Sequence, residues 1–590
     1  MDLIDRIIGR LKEFNLIILA CIVAVTPLIF YLGVVAHEGE VTSLWGSTFD
    51  FNFSSFYKMN WLIFSNALLL LTFLAYTVKN KPVKTYYYTP ILVFAVLAGV
   101  SSYLSEYSSA VIRGFPGRYE NIYVLLGYIL LTIAAMNIID NKKYTKFMFR
   151  ALFISTFILG IHGMLQYFGF DILATDFGRS LFTPEGKEVF VQHLSFVGDN
   201  RVYSTMGNPN YVGSYGAMVV ILLLGLYLNA RDKRKVYGLG FLNVLMFAYM
   251  VGSKSRAGMI GFLAGMFFLV LVMRKQIISN WRQVLVILMA FVVIFLGMDA
   301  YSVEDLLGEI ISPTPEDELV EEEIIISPIT GVESDGNKLT LKTSDNNLNL
   351  ILEENSLQFT DMDGNNIQHY SYPVTERYYL FGEEYRYHSF DLNLMENEIV
   401  WRYDDKKANF KLIDDEFRMQ GMHREYFEIK DVPAWGFDGY ERLGSSRGYI
   451  WSRTLPLLRE TLLIGHGPDT YAFYFPQNDV VGKLRFLRSP RILVDKPHNM
   501  YLQKAVNTGL VSLLALMSMW GYYLMQSLVI YWNADYNRWE NRAGAAVMAS
   551  VAAYLATGVF NDSVVSVAPV FWVLLGVGIS MNILIKRSQE

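Results

Sequence analysis

Long apolar runs, cut by short polar segments, dominate the pattern along this chain. Twelve runs are long enough, or nearly so, to cross a hydrocarbon core as helices, which needs about 20 mostly apolar residues. They cover residues 16–36, 61–78, 90–104, 121–139, 151–168, 211–228, 236–251, 257–272, 284–298, 509–531, 543–559 and 569–585. Arg6, Arg10 and Lys12 precede the first run in the manner of a signal peptide. That run is longer than a signal core and more spans follow it, so it reads as a retained helix, with cleavage after Ala36 as the alternative.

Between 299 and 508 the texture changes. Residues 313–323 are acidic and read as a solvated linker. From 331 to 432 apolar residues alternate with polar ones, as in Leu339-Thr340-Leu341-Lys342 and Glu398-Ile399-Val400-Trp401, with turns at Asp335-Gly336 and Asp363-Gly364. That period of two predicts a small β-rich domain. Asp361-Met362-Asp363-Gly364-Asn365 has a calcium-loop flavour, but its glycine is fourth and Tyr372 stands where a twelfth-position Glu would be needed, so a hairpin turn is the better account. Residues 439–508 read as helical and aromatic.

Charge placement orients the chain. Alternate short loops collect Lys and Arg (Lys79, Lys81, Lys84; Lys142, Lys143, Lys146, Arg150; Arg231, Lys233, Arg234, Lys235; Arg274, Lys275, Arg282; Arg538, Arg542; Lys586, Arg587), and the opposite loops hold few. The positive-inside bias then predicts both termini in the cytoplasm and 299–508 outside. The expected fold is an all-α polytopic membrane protein of about 12 transmembrane helices, with a large extracytoplasmic loop containing a small β-rich domain. In residue terms this is helices within 1–298, a loop over 299–508 and helices within 509–590. Composition agrees: 53% of the 590 residues are hydrophobic and 18% charged, below the quarter expected of soluble chains. The net charge of -6 gives no reason to expect nucleic acid. Cys21 is the single cysteine, which excludes an intrachain disulfide.

Four polar places interrupt this apolar chain on the side predicted to face outward. They are Arg201 with Gly207-Asn208-Pro209-Asn210; Ser253-Lys254-Ser255-Arg256; the 445–453 stretch with Arg447 and Trp451, followed by Gly465-His466-Gly467; and Lys496-Pro497-His498-Asn499. Guanidinium groups present planar forks of donors suited to phosphate oxygens, and an imidazole can accept a hydroxyl proton near neutral pH. Asn208, Asn210 and Asn499 are candidates to hold sugar hydroxyls. Each group also has a plainer reading: Asn208 as a helix cap, His466 as a turn residue, Arg256 as the cap of a tight helical hairpin, and Arg453, Arg459, Arg485 and Arg488 as struts of the loop.

The ordered set resembles the O-antigen ligase and polymerase family, polytopic bacterial enzymes that transfer glycans from undecaprenyl pyrophosphate. The residues that carry the resemblance are Phe115-Pro116-Gly117-Arg118-Tyr119-Glu120-Asn121, Gly207-Asn208-Pro209-Asn210, Ser255-Arg256-Ala257-Gly258, Arg447 with Trp451, then Pro456, Gly465, Gly467 and His498-Asn499. The resemblance implies that His498 activates the acceptor hydroxyl, that Arg256 and Arg447 grip the donor diphosphate, and that Arg118, Arg201 and Trp451 assist in binding. It implies an undecaprenyl-pyrophosphate-linked donor, a glycan, lipid or protein acceptor, no metal or nucleotide cofactor, and a place in the cytoplasmic (inner) membrane. The β-rich insertion departs from the family's compact pattern. Two other classes stay in view: a transporter or flippase for lipid-linked glycans, and a scaffold whose β-domain binds a partner.

Overall fold

The computed structural model describes residues 3–187, 201–298 and 329–588, apart from 345, 354–355, 373–376, 383–384, 394–395 and 404–405. The acidic linker at 313–323 lies outside the described residues. The chain forms two compact units. One comprises 1–307, 460–470 and 498–590; the other comprises 308–459 and 471–497. Two pieces of the expected loop, 460–470 and 498–508, therefore belong to the helical unit.

Every predicted run falls on a helix in the helical unit. In chain order these are α1 (Leu3–Val25), α2 (Phe56–Thr77), α3 (Tyr88–Leu104), α4 (Ile122–Ile138), α5 (Lys142–Tyr167), α6 (Pro209–Tyr227), α7 (Lys233–Gly252), α8 (Arg256–Ser279), α9 (Trp281–Gly297), α10 (Leu510–Tyr531), α11 (Trp539–Thr557) and α12 (Ala568–Arg587). Eight of them are long and apolar enough to cross a membrane: α1, α2, α5, α6, α7, α8, α10 and α12. The others, α3, α4, α9 and α11, are helices that fall short of that length or hydropathy.

The first run is corrected by the structure. Its helix starts at Leu3 and stops at Val25, because Thr26-Pro27-Leu28 tightens into a 3₁₀ turn and residues Gly33–Ala36 pair as a strand with Phe49–Asn52. Proline cannot supply the amide that a continuing helix would need.

Small residues decide how the central helices meet. α6 is buried almost all round and packs on α7, α8 and α11. A Cβ added to Gly258 of α8 would come within 2.7 Å of the Gly213 Cα on α6, so the two backbones touch there. Gly225 meets Ala546 of α11 in the same manner. Such crossings are how apolar helices gain contact where lipid offers no hydrophobic drive.

The second unit is built on two antiparallel meanders. Strands β1 (Ile329–Asp335), β2 (Lys338–Thr343), β3 (Asn347–Glu353) and β4 (Ser356–Thr360) form one sheet in sequence order. Strands β5 (His369–Tyr372), β6 (Arg377–Leu380), β7 (His388–Asn393), β8 (Glu398–Tyr403), β9 (Lys406–Ile413), β10 (Glu416–Gln420) and β11 (Tyr426–Glu428) form a seven-stranded sheet, also in sequence order. Alternate residues of both sheets, among them Leu341, Leu350, Phe390, Trp401 and Phe410, enter one shared core with Val480 and Leu484. Asp361 closes its turn by accepting the amides of Asp363 and Asn365 and the side-chain amide of Asn365, which accounts for the carboxylate without a metal.

Asp391 sits on the other face of the large sheet. Burial alone would raise its carboxyl, but bonds from Arg377 and Arg402, and their charges, outweigh it and hold the group below its ordinary range. Stability from this cluster is present above the unfolded carboxyl pKa of about 3.9 and is lost as pH falls through the lower folded value. Acid titration of the full-length protein, followed by tryptophan fluorescence, is therefore expected to loosen the β unit at a higher pH in Arg402→Gln than in wild type. Identical acid midpoints would remove the cluster's role.

Candidate functional site

The site is best built from the helix starts at one end of the helical unit. Asn208 caps α6: its Oδ1 accepts the Asn210 amide at 2.8 Å. Ser255 caps α8 by accepting the Gly258 amide at 3.2 Å, which leaves Arg256 as the first helical residue. The Gly213–Gly258 contact sets these two starts side by side. Arg201 joins them, its Nε donating to the Ser253 carbonyl at 2.9 Å while the Val202 amide donates to the Gly252 carbonyl.

The turn between α11 and α12, Asn561-Asp562-Ser563, reaches into the same region. Asn561 Nδ2 donates to the Asn210 carbonyl at 3.1 Å and to Ser214 Oγ at 2.7 Å. Next to it, the Asp562 carboxylate lies 3.3 Å from Nδ1 of His498, with side-chain exposures of 1% and 32% respectively. The Met500 amide donates to the Gly558 carbonyl and ties the His498 segment to the end of α11. A carboxylate this close favours the ring form that carries hydrogen on Nδ1, which would leave Nε2 its lone pair. His498 thus sits beside a buried acid and is still partly open to solvent.

A second layer supports the turn. Glu120 accepts from Ser563 Oγ at 2.6 Å, from Tyr128 at 2.9 Å and from Lys504 Nζ at 3.2 Å. Its own amide donates to Asp469 at 2.7 Å, and Asp469 pairs with Arg118 at 2.8 Å. Two cations and two carboxylates thereby balance in a buried cluster, as buried charge requires. Several non-glycine residues of these loops hold left-handed φ angles: Tyr119 (55°), Ser204 (50°), Lys254 (51°), Asp469 (60°) and His498 (51°). Such conformations cost energy and persist where the surroundings over-determine them, commonly at working sites.

The predicted residues divide accordingly. Arg201, Arg256, Asn208, Asn210, His498 and Asn499 lie on loops and helix starts that are tied to one another at this end of the helical unit. Arg118 is there too but wholly buried on Asp469, so it holds the loop and does not meet a ligand. Asn499 has a structural role: its Oδ1 accepts the amides of Tyr501 and Leu502, which makes it the cap of the helix Met500–Thr508. Asn499→Ala is expected to cost about 1 kcal/mol through loss of that cap, read as a lowered thermal midpoint; an unchanged midpoint would refute the capping role. Asn208 is a cap as well, which the sequence had offered as its plainer reading.

His466 is also settled. Burial pushes its imidazole down to about 4, and its amide is held by the Val506 carbonyl, which fits a turn residue.

Arg447 and Trp451 belong to the second unit. Arg447 donates through Nη1 to the Gly444 carbonyl at 2.8 Å, beside three successive left-handed residues at Gly444, Ser445 and Ser446. Trp451, 8% exposed, packs on Phe437 and donates to the Pro497 carbonyl at 2.8 Å. Its indole N–H is spent on the residue that precedes His498 in the chain, so it positions backbone. Arg453 is a strut, bonded to Asp479 and stacked over Tyr449.

Asp562, Asp469 and Lys504 were not picked out in the sequence, and Glu120 appeared only as part of the 115–121 motif, with no role. The available signal was a carboxylate flanked by Asn561 and Ser563 inside an otherwise apolar stretch, where an ionisable group is costly enough to imply a partner. Comparison of the chain with family models, curated proteins and solved structures gives no match.

Proposed function

We propose that this protein is a glycan transferase that moves an oligo- or polysaccharide from a polyprenyl-diphosphate carrier to an acceptor hydroxyl. The observation that carries the reading is the partly solvent-open His498 next to buried Asp562, with Arg256 at the start of α8 and Arg201 bonded to the Ser253 carbonyl just before it. The lysine and arginine bias of the short loops supports an outward-facing orientation for that end of the bundle, the side on which a carrier lipid would present its diphosphate.

In this mechanism the acceptor oxygen attacks the anomeric carbon as His498 Nε2 takes its proton. The bond between that carbon and the diphosphate oxygen breaks, and the polyprenyl diphosphate leaves with the electron pair. Guanidinium groups of Arg256 and Arg201 neutralise the charge that develops on it. Asp562 stabilises the imidazolium formed in the same step. The driving force comes from the activated donor.

Transport is the second reading. It calls for ionisable groups strung along the spans. Lys58, Arg118, Glu120, Asp469, Lys504 and Asp562 are instead gathered by mutual contacts and short turns at the His498 end, Lys58 through the Thr205 carbonyl and Ser566. That clustering favours chemistry at a surface.

Purified protein in lipid nanodiscs, given extracted polyprenyl-linked glycan and acceptor, is expected to form the glycosidic product and release polyprenyl diphosphate, and Arg256→Ala is expected to depress both. Turnover indifferent to Arg256→Ala and to loss of His498, or movement of intact donor across vesicles without bond transfer, would overturn the proposal.

A further inference from the structure

The large sheet of the second unit has one face in the core and one face outside it. The inner face carries Phe390, Leu392, Ile399, Trp401 and Phe410. The registers put a different set on the other side: Tyr370 opposite Tyr379, Tyr379 beside Ser389, Ser389 beside Arg402, Asp391 beside Val400, and Glu398 beside Lys411. Of these only Val400 is aliphatic. A protein-binding face would be expected to offer a larger aliphatic and aromatic centre with few charges.

At one edge the tyrosines form a platform. Tyr370 and Tyr379 stack at 5.4 Å with an interplanar angle of 16°, and Phe381 lies 5.2 Å from Tyr370. Tyr370 is 43% exposed and Phe381 54%. Aromatic faces carry negative π density that attracts the weakly positive C–H faces of pyranose rings. Toward the middle, Arg377 and Arg402 share the single carboxylate of Asp391. Further on, Glu398 accepts from both Asn409 and Tyr426 at 2.8 Å. These planar groups are held in place by one another before any ligand arrives, which lowers the ordering cost of binding.

At the opposite edge lies a shallow recess of about 230 Å³, lined by Arg418, Tyr426, Phe427, Glu428, Lys430 and Asn478. Six strand spacings of about 4.8 Å separate the two edges, roughly 29 Å in all. Cations exceed carboxylates along the way: Arg377, Arg402 and Lys411 stand with Asp391 and Glu398, and in the recess Arg418 and Lys430 stand with Glu428, while Asp414, the other partner of Arg418, is largely exposed at the hairpin end.

We infer that this sheet face is a binding site for an extended acidic polysaccharide, whose sugar rings stack on Tyr370, Tyr379 and Phe381 and whose carboxylates meet the Arg377–Arg402 pair. The site is separate from the transfer chemistry and does not depend on it. It makes the β unit a holder of polymer.

Full-length protein in nanodiscs, titrated with polygalacturonate and hyaluronate, is expected to bind at least one of them and to bind neutral dextran more weakly. The double variant Tyr370→Ala/Tyr379→Ala is expected to weaken that binding about tenfold, and Arg402→Gln is expected to narrow the preference over dextran. His498→Ala should bind as wild type does, so a failed transfer assay and a failed binding assay report on different sites. Three results would each overturn the inference: no binding of either acidic polymer, equal binding of poly-glutamate (which would mark a general anion or protein surface), or binding unmoved by the tyrosine pair. Unchanged thermal midpoints in the variants exclude misfolding as the cause of a loss.

Discussion

Replacing His498 is expected to reduce glycan transfer by about 10²- to 10⁴-fold, the usual contribution of a positioned general base. The informative variant is His498→Asn. The residue holds a φ of 51°, and asparagine tolerates the left-handed region better than most side chains, so the backbone is preserved while the base is lost. His498→Ala should give a similar loss of rate with some added strain. Asp562→Asn tests the orienting partner. It should lower kcat by about tenfold to a hundredfold, comparable to the loss of other groups that orient a histidine, and leave the KM for donor little changed. Asp562→Glu should recover part of the rate. If kcat survives His498→Asn, the imidazole is not the base. If Asp562→Asn changes KM alone, the 3.3 Å contact orients nothing that matters to the chemistry.

The second large effect concerns stability. Arg118 and Asp469 are both buried completely and lie 2.8 Å apart. Burial pushes the Asp469 carboxyl up, and the Arg118 charge opposes that shift. Asp469 also receives the amides of Phe115 and Glu120, so the pair stitches the 115–120 loop to the 460–470 segment. Arg118→Met leaves an uncompensated buried carboxylate and is expected to cost about 3–5 kcal/mol, the range for breaking one half of a buried pair. Heating detergent-solubilised protein and following the folded monomer by size exclusion measures the loss. The double variant Arg118→Met/Asp469→Leu removes both charges and should regain much of the stability. Retention of wild-type stability by the single variant would mean that the pair contributes nothing to the fold.

The fold separates residues that look alike along the chain. Arg118, Arg201, Arg256 and Arg447 are all arginines in polar interruptions of an apolar chain, and nothing local distinguishes them. Arg118 is buried because its partner comes from 351 positions away. Arg201 and Arg256 stay half-exposed at the turn between α7 and α8, where Arg201 bonds the Ser253 carbonyl. The asparagines divide for a local reason: Asn208 and Asn499 each precede a helix by one residue, and capping is what such a position asks of that side chain.

Features that depend on neighbours within a few residues were legible along the chain. The apolar runs, the alternation in the 331–432 region, the hairpin turn at Asp361 and the break between α7 and α8 all follow from local spacing, because hydrophobic periodicity and backbone chemistry act over that range. Pro27 was equally local, and the first run was misplaced because its apolarity continues past the point where its backbone can. Tertiary structure alone decided the rest. The carboxylate beside His498 is 64 residues away at Asp562, and the acid that steadies the turn around it, Glu120, lies 443 positions from Ser563. No spacing rule spans such distances; those pairings exist because helices that meet through glycine and alanine carry their loops to a common end, where each desolvated charge needs an opposite one.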